Sequence, residues 1–202
     1  MRLHSGPVPD DPNFHPQAQG WNSIRHDPSP LVISLLVVPV AVILIYFLFW
    51  LISLLFPRGG PVLSGWYILL PLVLVIPVHE LIHAVCYPAF GLTSDTIIGV
   101  WARRRIFYAY YQGALPRNRL LLVYAAPFVV LTLVLMPVLA WLHSMDLAHP
   151  LLSVLWFISL INGVLCAGDV IGFLLLLWQV PRRALVKNQG WKTYWKPMQV
   201  SG

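Results

Sequence analysis

The chain has 202 residues, of which 58% are hydrophobic and only 10% charged. Soluble domains carry about 25% charged residues, so this composition excludes an ordinary soluble enzyme, a disordered protein and a fibrous one. The formal net charge is +6, but the placement of the basic residues points to a membrane surface, and no nucleic-acid partner is expected.

Residues 1–30 contain Pro7, Pro9, Pro12, Pro16, Pro28 and Pro30. Each proline removes a backbone donor and fixes φ, which predicts a loosely ordered tail. The apolar run begins too late and is too long for the h-region of a signal peptide. Four apolar runs follow: Leu31–Phe56, Pro61–Phe90, Leu120–Leu142 and Leu151–Val180. A bilayer core of ~30 Å takes roughly 20 helical residues to cross, and every run reaches that length. In lipid the backbone must satisfy its own hydrogen bonds, so all four are expected to be helices.

Between the second and third runs, Thr96–Trp101 and Ile106–Gln112 are rich in β-branched and aromatic residues. They flank a short basic turn, the pattern of a β-hairpin at about residues 95–113. The expected architecture is an all-α membrane protein. Four transmembrane helices span residues 31–182, the small hairpin lies between the second and third, and residues 183–202 form a basic tail. With four spans, twelve of the thirteen Lys and Arg residues fall on the side of the two termini, leaving only Arg58 opposite. The positive-inside rule then makes the protein multi-pass in the cell membrane, with both termini cytoplasmic. The cationic flanks also favour anionic lipid headgroups. No internal repeat is visible, so an inverted-repeat transporter lacks its usual signature.

The second run contains His79-Glu80-Leu81-Ile82-His83. On a helix, residues four apart share a face, so both imidazoles can reach one metal ion while Glu80 can act on water beside it. The chemistry divides into two neutral nitrogen ligands and one carboxylate base. Glu80 is the only glutamate of the chain, and an acid within an apolar span is a functional candidate by default. A catalytic zinc site takes three protein ligands. Asp169 is the one ionisable acid in the other runs. Phe90 follows His79 by the same eleven residues that separate Val180 from Asp169, so both groups lie roughly 16 Å of helix rise from the same membrane face. Asp169 therefore reads as the third ligand, as a hydrogen-bonding residue between helices, or as the partner of a protonated histidine.

Asn162 lies two turns before Asp169 on the same face. It reads as a substrate-binding or oxyanion residue, or as an ordinary interhelical hydrogen bond. Gly168 and Gly172 suggest close helix approach around Asp169, and Pro77 a kink before His79. The only two cysteines, Cys86 and Cys166, lie three residues from proposed ligands. Either faces the site or packs as a small hydrophobe; they form no disulfide framework. His143 and His149 fall at the opposite membrane face.

With these residues in place, the chain resembles an intramembrane zinc metalloprotease of the site-2 protease type. It is closer still to small bacterial membrane proteins described as zincin peptidases. The resemblance rests on His79-Glu80-Leu81-Ile82-His83, on the stretch Asn162 to Asp169, on the β-rich segment between them and on Leu115-Pro116-Arg117. It covers roughly residues 60–180. The later stretch departs from the site-2 pattern, because it has no proline and Val170 follows the aspartate.

The resemblance implies Zn²⁺ held by His79, His83 and Asp169, with Glu80 as the catalytic base. The implied reaction is hydrolysis of peptide bonds in transmembrane substrates near the cytoplasmic face. The proposed hairpin would offer a strand edge to an unwound substrate segment, with Tyr108, Tyr110 and Tyr111 lining it or anchoring at headgroups. The alternatives are a non-catalytic zinc-binding membrane scaffold, its fourth ligand Cys86 or Cys166, and a small metal or ion transporter.

Overall fold

A computed structural model describes all residues except 25–29, 63–68, 105, 147–149 and 199–202. Pro28 and His149, named above, lie outside the described residues, as does part of the second apolar run. The chain divides into two units. One comprises Leu31–His79 and Ala125–Ile171; the other comprises Met1–Pro30, Glu80–Tyr124 and Gly172–Gly202.

The first unit is helical. It holds most of α1 (Pro30–Leu55), the start of α2 (Leu69–Val85), the end of α3 (Arg117–Phe128), a π-helical turn at Val129–Val134, α4 (Leu135–Ser144), α5 (Pro150–Leu165) and the start of α6 (Ala167–Gln179). Its core packs Leu48, Leu51 and Phe56 of α1 and the following turn against Met136 and Leu139 of α4 and Trp156 of α5. Gly163 permits the close approach of α1, since a Cβ there would lie 2.9 Å from the Leu48 side chain. Outside this core, α1 exposes Leu35, Ile43, Tyr46, Phe49, Trp50 and Leu54. An exposed apolar surface of that extent is unsuited to water.

The expectation of an all-α fold with four spans is wrong. Among the described residues, two helical stretches are long and apolar enough to cross a membrane: Leu35–Leu55 and the continuous Arg117–Ser144. A third is reached only if α5 and α6, bent by 45° where they meet, count as one span. Helix α2 has 17 described helical residues, short of the roughly 20 that a crossing needs.

The second unit carries two sheets, which makes the fold mixed α and β. Strands β3 (Thr96–Trp101) and β4 (Ile106–Tyr111) pair antiparallel, and β1 (Arg2–Ser5) adds in parallel to β3. The segments expected as a hairpin are thus two strands of a three-stranded sheet, with β4 at its edge. A four-stranded sheet has the order β2-β7-β6-β5, built from β2 (Asn22–Ser23), β5 (Leu115–Pro116), β6 (Ala184–Gln189) and β7 (Lys192–Pro197). Both stretches expected as tails therefore supply strands. Prolines forbid a long helix at the N-terminus, but they leave room for the short edge strands β1 and β2.

Apolar residues from both layers form one core: Ala84, Tyr87, Leu120, Val123, Leu176, Val180, Ala184 and Val186. Two arginines counted above as headgroup cations close helix ends instead. Arg117 is buried and donates through Nη2 to the Leu177 carbonyl at 2.9 Å. Arg119 donates through Nε to the Cys86 carbonyl at 3.0 Å. Carbonyls at helix C-termini lack helical donors, and a cation there also complements the dipole. Gly91, with φ of +78°, turns the chain after α2; a Cβ there would lie 2.5 Å from the Ala84 carbonyl oxygen.

The N-terminal segment is clasped onto β6. Lys187 Nζ lies 2.7 Å from Asp11 Oδ2 and 4.4 Å from the centre of the Phe14 ring. Gln189 accepts from Asp11 N at 3.2 Å and donates to Asp11 O at 3.1 Å. The Lys187 hydrogen bond holds the Asp11 carboxyl below its ordinary value of 3.8, against the opposing effect of burial. A depressed folded-state pKa means the clasp is at full strength above the unfolded value and is lost as pH falls through the folded one. Hydrogen exchange at Asn13 and Phe14, corrected for intrinsic rate, is expected to accelerate as pH drops below 3.8, and to lose that dependence in Lys187→Met. A pH-independent rate in the parent protein would contradict the clasp.

Candidate metal centre

His79 lies in α2, with Asn162 and Asp169 facing its two ring nitrogens. Nδ1 is 2.9 Å from Asn162 Oδ1, and Nε2 is 3.2 Å from Asp169 Oδ2. His79 and Asn162 are buried. The protonation of the ring follows from a chain of hydrogen bonds that begins at Thr132. The Thr132 hydroxyl donates to the Ser159 carbonyl at 3.2 Å, so its oxygen can only accept from Asn162. The Asn162 amide nitrogen donates to that oxygen at 3.0 Å and to the Pro127 carbonyl at 2.9 Å. The amide orientation is thereby fixed, and Asn162 Oδ1 faces His79 as an acceptor. Nδ1 must therefore carry a proton, and Nε2 faces the Asp169 carboxylate either with its lone pair or with a second proton.

Two electron-rich atoms at 3.2 Å in a buried setting call for a cation between them: a second proton on His79, or a metal ion. Tetrahedral zinc with bonds of about 2.0–2.2 Å to nitrogen and oxygen separates its ligand atoms by roughly 3.3–3.5 Å. The His79–Asp169 spacing fits that geometry. It also places the two residues singled out by equal membrane depth in contact.

His83 sits one turn further along α2 and is also buried. Its Nδ1 lies 2.8 Å from the Val123 carbonyl, an acceptor only, so this ring too is protonated at Nδ1. The reason this carbonyl is available lies four residues on. Pro127 has no N–H to return to position 123, so the helix leaves Val123 O without its usual donor. The same proline precedes the π-helical turn, where its own carbonyl accepts from Asn162. Proline and π-turn together supply acceptors that a regular helix keeps for itself. Neither Pro127 nor Thr132 was singled out by sequence reasoning; a proline inside an apolar run was the signal that could have found them.

The Glu80 carboxylate accepts from the Ala109 N–H of β4 at 2.6 Å, while the Tyr87 hydroxyl donates to the Ala109 carbonyl at 3.0 Å. The edge of β4 is therefore gripped by side chains at Ala109. Tyr108 and Tyr110 are buried, and their hydroxyls donate to the Gly6 and Pro7 carbonyls and to the Asn188 carbonyl. Burial raises the Tyr110 phenol well above its ordinary value. Asn162 commits both amide hydrogens and its oxygen to hydrogen bonds between helical segments, the second of the two uses the sequence suggests for it. Gly168 meets nothing within 4 Å, whereas Gly172 lies against the Tyr124 ring at 3.1 Å; the close approach expected of the pair belongs to Gly172. Cys166 is buried, and its Sγ, a His79 nitrogen and an Asp169 oxygen all lie within 4.8 Å of one another. Cys86 is a free, half-buried thiol.

Residues 72–185, more than half of the chain, match the model of a protein family described as "Putative zincin peptidase". A protein of Pyrococcus woesei, named as an uncharacterized 24.7 kDa protein in the gap 5′ region, is 29% identical over 127 residues. That match covers 61% of this chain and 52% of the relative, so the chain spans about half the length of the curated relative it matches. No solved structure matches.

Outer-shell partners of metal-binding histidines typically contribute 10–100-fold in affinity. Asn162→Ala, which leaves His79 Nδ1 without its acceptor, is expected to weaken zinc binding by roughly that factor. Asn162→Asp, which keeps an acceptor, is expected to weaken it much less. Competition against a chromophoric chelator measures both; parent-like affinity in the alanine variant would contradict the role assigned to Asn162.

Proposed function

Since the chain belongs to the zincin peptidase family, we propose that it is an intramembrane zinc metallopeptidase. In this reading His79, His83 and Asp169 hold the metal and Glu80 is the general base. The observation that carries it is the pair of buried His79 and half-buried Asp169, whose 3.2 Å spacing fits a shared cation. Zinc bound to such a set supplies Lewis acidity, which polarises a carbonyl and brings the pKa of a water toward ~7.

The protein's own groups do the rest. Glu80 follows the first histidine on α2, and its carboxylate takes a proton from the attacking water and returns it to the leaving amine. The Ala109 N–H holds one of its oxygens and so limits rotation of the carboxylate. Asn162 and Val123 O hold the two imidazoles at their Nδ1 atoms, which keeps each Nε2 lone pair available for metal.

The proposed substrates are transmembrane proteins or peptides, cut near the cytoplasmic face. A substrate helix must unwind there, because helical carbonyls are already hydrogen-bonded. Membrane placement is supported by the two long apolar helices. Orientation is supported by charge: twelve of the thirteen Lys and Arg residues belong, by chain range, to the unit that contains both termini. That is the sign of a cytoplasmic face. The rival reading is a non-catalytic zinc scaffold in the membrane, and the position of Cys166 is what favours it. A scaffold has no use for a base beside its first ligand.

The two readings separate experimentally. In proteoliposomes with a labelled single-span substrate, Glu80→Gln is expected to keep its zinc by elemental analysis and lose at least about a hundredfold in turnover. His79→Ala is expected to lose both. Full turnover in Glu80→Gln would end the proposed mechanism.

A further inference from the structure

The proposed function gives no role to Cys166, although it lies beside the two groups that carry that reading. Cys166 occupies the junction of α5 and α6 and is fully buried. The helical ladder runs through this junction despite the bend of 45°. Cys166 N donates to the Asn162 carbonyl at 3.0 Å, and its own carbonyl accepts from Val170 N at 2.9 Å. Residues 162, 166 and 169 therefore follow at spacings of four and three, along one helical face. The first of them holds His79 Nδ1 and the last faces His79 Nε2. Cys166 stands between them, with its ligand atom inside the same 4.8 Å group.

We infer that Cys166 is a ligand of the same metal ion, through its thiolate sulfur. The inference rests on the cation site proposed for His79 and Asp169 and deepens it. Zinc–sulfur bonds of about 2.3 Å, beside bonds of about 2.0–2.2 Å to nitrogen and oxygen, put tetrahedral ligand atoms roughly 3.3–3.6 Å apart. The three ligand atoms of the observed group lie within 4.8 Å of one another, close enough to surround a single ion. The step is a ligand exchange without redox change: the thiol proton passes to solvent as a sulfur lone pair forms the bond to the cation. With His79 and Asp169 it would give three protein ligands from one unit of the chain.

Cobalt(II) replaces zinc in such sites and reports on sulfur directly through a thiolate-to-cobalt charge-transfer band in the near ultraviolet. The full-length protein loaded with cobalt is expected to show this band. Cys86→Ser should retain it. Cys166→Ser and Cys166→Ala should lose it while keeping the visible bands of bound tetrahedral cobalt. Zinc absorption spectroscopy of the parent protein, which needs no variant to fold, should show one sulfur neighbour at about 2.3 Å. Cobalt bound without the charge-transfer band would overturn this inference and leave the His79–Asp169 site standing, as would a band lost in Cys86→Ser but kept in both Cys166 variants. Failure of the parent protein to bind cobalt or zinc would overturn the metal centre itself, and the proposed function with it.

Discussion

The account depends on one contact: a histidine nitrogen facing a carboxylate at 3.2 Å, inside an apolar helical unit. A carboxylate is costly to bury without compensating positive charge. The contact calls for a cation between its partners, a second proton on the ring or a metal ion. The surrounding hydrogen bonds fix which ring nitrogen is turned to it. They begin at a threonine hydroxyl, pass through an asparagine amide and end by placing the ring proton on the far nitrogen of His79.

A single proline serves both imidazoles. It deprives Val123 O of its helical donor, and His83 takes that place. Its own carbonyl, at the start of the π-helical turn, anchors the asparagine that holds His79. Breaking a helix normally leaves backbone groups unsatisfied at a cost of roughly 1–3 kcal/mol each when buried. Here histidine and asparagine side chains satisfy those groups. The irregular helix and the orientation of the two rings are one structural feature seen from two sides.

The contact between His79 and Asp169 was legible in the sequence, because helical spacing is rigid and counts directly into distance. Four residues put His79 and His83 on one face of α2, and equal counts to the helix ends put Asp169 level with His79. The partners that orient those ligands were not legible. Asn162 was noticed for its face and for a hydrogen bond between helices, but not for its hold on His79, and Pro127 and Thr132 act through carbonyls and hydroxyl directions that no spacing encodes. The fold was misread for a related reason. Apolar length alone does not show where a helix bends, so the 45° break between α5 and α6 was not foreseen. At the C-terminus, Lys187, Lys192 and Lys196 drew attention to charge and away from the alternation around Gly190 that builds β6 and β7. Two of those lysines have structural partners, Lys187 on Asp11 and Phe14 and Lys196 over the Trp21 ring.

The most direct test is the protonation state of His79 in zinc-loaded protein, read from nitrogen-15 chemical shifts of the ring. The account requires a neutral imidazole at neutral pH, with the proton on Nδ1 and Nε2 shifted by bound metal. An imidazolium carrying protons on both nitrogens would mean that the cation between His79 and Asp169 is only a proton, and the metal centre would have lost its basis.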